Sequence, residues 1–237
     1  MRDDIRDGLK KGLGISLAVL PFGLLFGALA VDNGLTPFEA VLMSGLLYAG
    51  ASQMVGLELF GQNVAPWLIV LSIFAVNFRH VLYSAAIRRH IIHYSFGQKA
   101  AALFLLVDPQ YAESESRAEK GKAVSLAWYM GMGLPIYAGW LVETWIGAAF
   151  GKLITNPQAL ALDFLLPIYF LGLVLGFRTR PNWLPVVIAS GLGSVAAFYT
   201  VGSPWHVSIG AIAGVALAAA LPPKPTASAP EPLEAGP

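Results

Sequence analysis

The stretch APWLIVLSIFAVNFRHVLYSAAI runs from Ala65 to Ile87 and is closed by Arg88 and Arg89. It is apolar except for Ser72 and a cluster formed by Asn77, Arg79, His80, Tyr83 and Ser84. At a rise of ~1.5 Å per residue, Arg79 lies roughly 13 Å inward of Arg88. A bilayer core is about 30 Å thick, so this is close to mid-depth. A charge at that depth is costly unless it is paired or solvated, and such residues default to a functional role. Asn77, His80 and Ser84 fall at helical spacing and share one face. Arg79 suits a carboxylate, which its planar fork can grip twice. His80 is the natural proton carrier.

The rest of the chain reads the same way. Hydrophobic residues make up 56% and charged residues 12% of 237, against about 25% charged in a soluble domain. Charge-free runs cover Gly12–Val31, Ala40–Leu57, Leu59–Phe78, Ala123–Val142, Phe164–Phe177, Pro181–Trp205 and Val207–Leu221. An eighth, Ala100–Val107, is short and stops at Asp108-Pro109. This predicts an all-α, polytopic membrane helical bundle of seven to eight membrane segments over residues 1–221. The Pro/Ala/Ser/Glu-rich residues 222–237 are expected to form a disordered tail. The net charge of +1 gives no reason to expect nucleic acid, and the chain has no cysteine for disulfides or thiolate metal sites. No metal or cofactor motif and no catalytic pair stands out, so an enzyme is not expected.

Leu20-Pro21 matches Leu166-Pro167, and Val41–Leu46 matches Val187–Leu192 at the same offset. Inverted repeats with broken helices, common in secondary transporters, leave this kind of trace. Around Tyr48-Ala49-Gly50-Ala51-Ser52-Gln53, small and polar residues interrupt a span. An unwound backbone there would offer amides and carbonyls to a ligand. Tyr48, Gly50, Ser52 and Gln53 therefore join Asn77, Arg79 and Tyr83 as candidate substrate ligands. Asp108 joins His80 as a candidate proton-coupling group, and it could also pair with Arg79. Gly131, Gly133 and Pro135 read as a hinge. Glu143, near the end of its span, reads as interfacial. Residues 112–122, AESESRAEKGK, read as a solvated loop. Basic residues at the amino terminus favour a cytoplasmic start. Simple alternation then puts the basic loops 88–99 and 112–122 on opposite faces, unless residues 100–110 re-enter the membrane.

Pro21-Phe22-Gly23, Met43-Ser44, the AGASQ segment at 49–53 and Asn77-Phe78-Arg79-His80-Val81-Leu82-Tyr83-Ser84 together resemble the AzlC family over residues 8–221. The family's Thr-Asp-Glu at the end of the fourth segment is replaced by Val107-Asp108-Pro109, so only Asp108 matches. The resemblance implies the large permease subunit of a branched-chain amino acid exporter in the bacterial cytoplasmic membrane, crossing it several times. It also implies a substrate such as valine, leucine, isoleucine or methionine, and a small AzlD-like membrane subunit as partner. A passive small-solute channel, or a scaffold subunit that transports nothing, are the competing readings.

Overall fold

The computed structural model describes residues 2–61, 65–150, 165–202 and 205–221. The tail 222–237 lies outside the described residues. Every element among them is helical: α1 (Arg2–Asp32), α2 (Pro37–Leu47), α3 (Gly50–Gly61), α4 (Pro66–Ile91), α5 (Phe96–Phe104), α6 (Asp108–Glu119), α7 (Leu126–Phe150), α8 (Leu165–Gly176), α9 (Trp183–Thr200) and α10 (Trp205–Ala220). By length and composition α1, α4 and α9 can cross a membrane. Large apolar side chains such as Leu17, Trp67, Val70 and Phe74 point outward, as lipid-facing helices require. The chain divides into two compact units, Met1–Val174 and Leu175–Pro237.

In the first unit α1 and α7 run parallel, backbone against backbone. A Cβ on Gly8 or Gly12 would strike Trp128 or Met132, and one on Gly27 would strike Thr144 and Ala148. Partners thus advance together along both helices. Small residues permit this approach, and packing rather than water exclusion drives it in lipid.

Two helical hairpins fill the space beside this pair. In the first, α2 ends at Leu47 and the chain reverses at Tyr48, a non-glycine residue in the left-handed region (φ 40, ψ 47). That conformation costs roughly 1–2 kcal/mol. Packing holds it: the Tyr48 ring sits edge-on to Tyr137 at 4.9 Å and stacks on Phe104 at 6.2 Å. Gln53 Nε2 then donates back to Ser44 Oγ at 2.9 Å. Nine residues of straight helix would separate these two by ~13 Å, so α3 returns toward the side from which α2 came. From there α4 runs antiparallel to α3, with Ser52 bonded to Asn77 and Gly56 against Ile73. In the second hairpin α5 stops at Phe104, residues 105–107 turn, and α6 leads back.

The ion pairs show which ends lie together. Arg89 and His90, at the end of α4, pair with Glu115 of α6. Arg117 of α6 pairs with Asp4 and Asp7 of α1, and Lys11 with Glu113. The amino terminus, segment 88–99 and segment 112–122 therefore share one basic end, which the positive-inside rule assigns to the cytoplasm. The topological conflict in the sequence disappears because residues 96–119 enter and leave on that side. The segment 112–122 is mostly helix α6, not a solvated loop, and it buries Ser114 and Glu115 against its neighbours.

The two hairpins enter from opposite ends. Their tips meet about one helical turn apart along α7, Leu105 against Gly133 and Tyr48 against Tyr137. The runs α2–α3–α4 and α5–α6–α7 have the same plan: helices of 11, 12 and 26 residues, then of 9, 12 and 25. Each opens on a capping box, Thr36 with Glu39 and Ser95 with Gln98, placed 59 residues apart. The inverted repeat with broken helices thus has a different register from the one read in the sequence. At the earlier offset, the counterparts of Tyr48 and Ala49 are Ser194 and Val195, inside the unbroken α9.

The second unit contains α9 and α10 as an antiparallel pair. Gly193 faces Ala213, Gly210 faces Ser194, and Ser190 Oγ donates to the Gly210 carbonyl at 2.9 Å.

This topology has a direct test. The chain has no native cysteine, so Asn33→Cys and Gly97→Cys each give a single thiol at an exposed position. In right-side-out membranes an impermeant maleimide is expected to label the first and spare the second. Labelling of both from outside would refute the re-entrant α5–α6 hairpin.

Candidate functional site

Where the hairpin tips meet, they leave a cleft of about 660 Å³, its open mouth included. One side is polar: Arg79 and His80 from the middle of α4, and Asp108 from the first turn of α6. The other is apolar: Val19 and Phe22 of α1, Met54 of α3, and Ile136 and Trp140 of α7. Between them lies the reversal, Tyr48 to Ala51.

Arg79 Nη2 lies 3.3 Å from Asp108 Oδ2, with both side chains mostly buried. Tyr83 donates from its hydroxyl to Asp108 Oδ1 at 2.9 Å and stacks on Tyr111 at 4.4 Å. The Asp108 carboxylate is thus held from two sides, by an arginine facing the cleft and a tyrosine behind it. The returning helices α3 and α6 both start at the cleft. The first amides of any helix lack partners within it, so both starts aim positive dipole ends at the same space. At α6 the N-cap residue, Val107, supplies no side-chain cap.

Of the residues singled out in the sequence, the structure brings Tyr48, Gly50, Arg79, His80 and Asp108 to the cleft wall. Others lie elsewhere. Ser52 and Gln53 are fully buried. Ser52 donates to Asn77 Oδ1 at 2.6 Å, and Gln53 bridges Ser44 and the Trp140 indole. Ser44 in turn bonds Thr144. These polar groups are satisfied by one another, as a buried helix break demands, and they fix the first hairpin to α4 and α7. Ser52, Gln53 and Asn77 do not line the cleft in this structure. Tyr83 does not line the cleft and reaches it by its hydrogen bond to Asp108. Gly131, Gly133 and Pro135 do not interrupt α7, which runs unbroken from Leu126 to Phe150. Gly131 admits the Ile5 backbone and Gly133 admits Leu105 and Gln110, so these glycines give close approach. Glu143 is not interfacial. It is 4% exposed, packed on Gly23, with Ser16 donating to its Oε1 at 3.1 Å.

The apolar wall was missed in the sequence, because Val19, Phe22, Ile136 and Trp140 look like any other lipid-facing or packing residue. No group of three or more His, Cys, Asp or Glu able to hold a metal occurs among the described residues.

Comparison with known proteins puts the chain among membrane proteins. The family model described as AzlC protein matches residues 14–154, a span that includes both hairpins and the cleft. The inner membrane protein YgaZ of Escherichia coli is 30% identical over 213 residues, 88% of this chain and 86% of that protein. A protein of Archaeoglobus fulgidus named only as an uncharacterized membrane protein is 32% identical, covering 72% of this chain and 74% of its own length. No solved structure matches.

Proposed function

Because the chain belongs to the AzlC family of membrane proteins, we propose that it is the permease subunit of a secondary exporter for branched-chain amino acids, working with a small AzlD-like membrane subunit. The observation that carries this reading is the cleft's division into an ionic pair and an apolar wall. A zwitterion with a branched side chain is the complement of such a site. Its carboxylate meets Arg79 and the first amides of α3. Its ammonium meets Asp108, and its side chain lies among Val19, Phe22, Ile136 and Trp140. Binding exchanges the internal Arg79–Asp108 pair for two pairs with the substrate, so no charge is left bare at mid-depth. His80 and Asp108 are the proton-coupling groups of this reading.

The test is efflux of radiolabelled valine from preloaded proteoliposomes, with and without an imposed proton gradient, for the chain alone and with its small partner. Gradient-dependent uphill efflux is expected. Downhill leak of valine alone would replace the exporter with a channel, and no movement of any branched-chain amino acid by folded protein would remove the substrate assignment.

A further inference from the structure

A second cleft lies at the basic end, between the last turns of α4 and the helix α5. It encloses about 580 Å³, open space included, and is lined by Ser84, Arg88, Ile91, Ile92, Lys99 and Leu103. Two stripes converge on it. Ser84, Arg88, Ile91 and Ile92 share a face of α4, and Lys99 and Leu103 share a face of α5. Phe96 belongs to the α5 stripe, three residues before Lys99, and is 89% exposed.

The charges here differ from the rest of that end. Arg89, Arg117 and Lys11 all pair with carboxylates. Arg88 and Lys99 form no ion pair among the described residues, and no acid lines their cleft. Two acids of α6 at this end are committed elsewhere, Glu113 to Lys11 and Glu115 to Arg89 and His90. Ser84 spends its hydroxyl on the His80 carbonyl, so recognition falls to the two cations. Large apolar side chains stand exposed around them: Ile92, Phe96, Leu103 and Phe104. A soluble anion has no use for that rim, whereas a lipid does.

We propose that this cleft binds the phosphate of an anionic phospholipid from the cytoplasmic leaflet. Arg88 and Lys99 clasp the phosphate, and an acyl chain follows Ile92, Phe96 and Leu103. Basic pockets between membrane helices on the cytoplasmic side bind anionic headgroups for this reason. The site is separate from the transport cleft and does not depend on what is transported.

The test is native mass spectrometry of the full chain in detergent, titrated in parallel with phosphatidylglycerol, phosphatidylethanolamine and inorganic phosphate. Phosphatidylglycerol is expected to be retained about tenfold or more over phosphatidylethanolamine, since each nearby cation contributes roughly a kcal/mol toward an anionic lipid. The Arg88→Gln/Lys99→Gln variant should lose that preference, and Lys122→Gln, on the same end but outside the cleft, should keep it. Equal retention of the two lipids by the unaltered protein would overturn the proposal without any variant. So would displacement of phosphatidylglycerol by millimolar phosphate, which would make the site one for a soluble anion. A double variant that keeps the preference would also sink it.

Discussion

Arg79→Ala is expected to lower export by about two orders of magnitude or more, because breaking a buried ion pair from one side costs ~3–5 kcal/mol. The alanine removes the cation opposite Asp108 Oδ2 and leaves that carboxylate at mid-depth with only the Tyr83 hydroxyl. Part of the loss is therefore structural, and the experiment must separate it from lost substrate binding. The Arg79→Ala/Asp108→Ala double variant does so. It removes both charges, so it should be more thermally stable in detergent than Arg79→Ala. It should still fail to export, since neither end of the zwitterion has a partner. Arg79→Lys keeps the charge but loses the planar fork, and is expected to raise the half-saturating substrate concentration more than it lowers the maximal rate. Normal efflux by either alanine variant, assayed on monodisperse protein, would show that the pair only holds the bundle together.

The depth of Arg79 and the break at Tyr48 could both be read from residues 49–53 and 77–84, because each violates a local rule: a charge in an apolar run, and a cluster of small polar residues in a span. The roles of the small polar residues could not. Ser52 and Gln53 look the same in sequence whether they face a ligand or one another. Only the fold shows that Asn77, Ser44 and Trp140 already use them. The second hairpin was half legible, since eight apolar residues cannot cross a bilayer. Its returning arm α6 was hidden because its composition is that of a solvated loop. It stays packed at the basic end through the pairs of Glu113, Glu115 and Arg117 with residues far away in sequence. The repeat at a spacing of 59 left almost no residue trace. Its two copies share caps and breaks rather than side chains, and Thr with Glu can cap a helix as Ser with Gln does.

Gly27→Ala is expected to destabilise the protein by about 3 kcal/mol or more, at the upper end of what overpacking costs. Its methyl group would fall on the Thr144 carbonyl oxygen and lie 2.6 Å from the Ala148 nitrogen. Both are backbone atoms of α7, so no side chain can rotate out of the way and the helices must part. Gly147 makes the reciprocal approach to the Leu24 backbone, so the parting spreads along the α1–α7 seam. That seam supports the cleft through Val19 and Phe22 on one helix and Ile136 and Trp140 on the other. It has little hydrophobic drive to restore it, because lipid tails are as apolar as the faces it buries. Gly14 is the control. It sits on the same helix with nothing within 4 Å of the added carbon, so Gly14→Ala should leave stability unchanged or raise it by up to ~1 kcal/mol through helix propensity. Thermal unfolding of the two variants in detergent, side by side, measures the difference. Equal melting temperatures would mean that α1 and α7 do not touch at Gly27. The parallel arrangement of the two helices, and with it the placement of both hairpins, would then have to be abandoned.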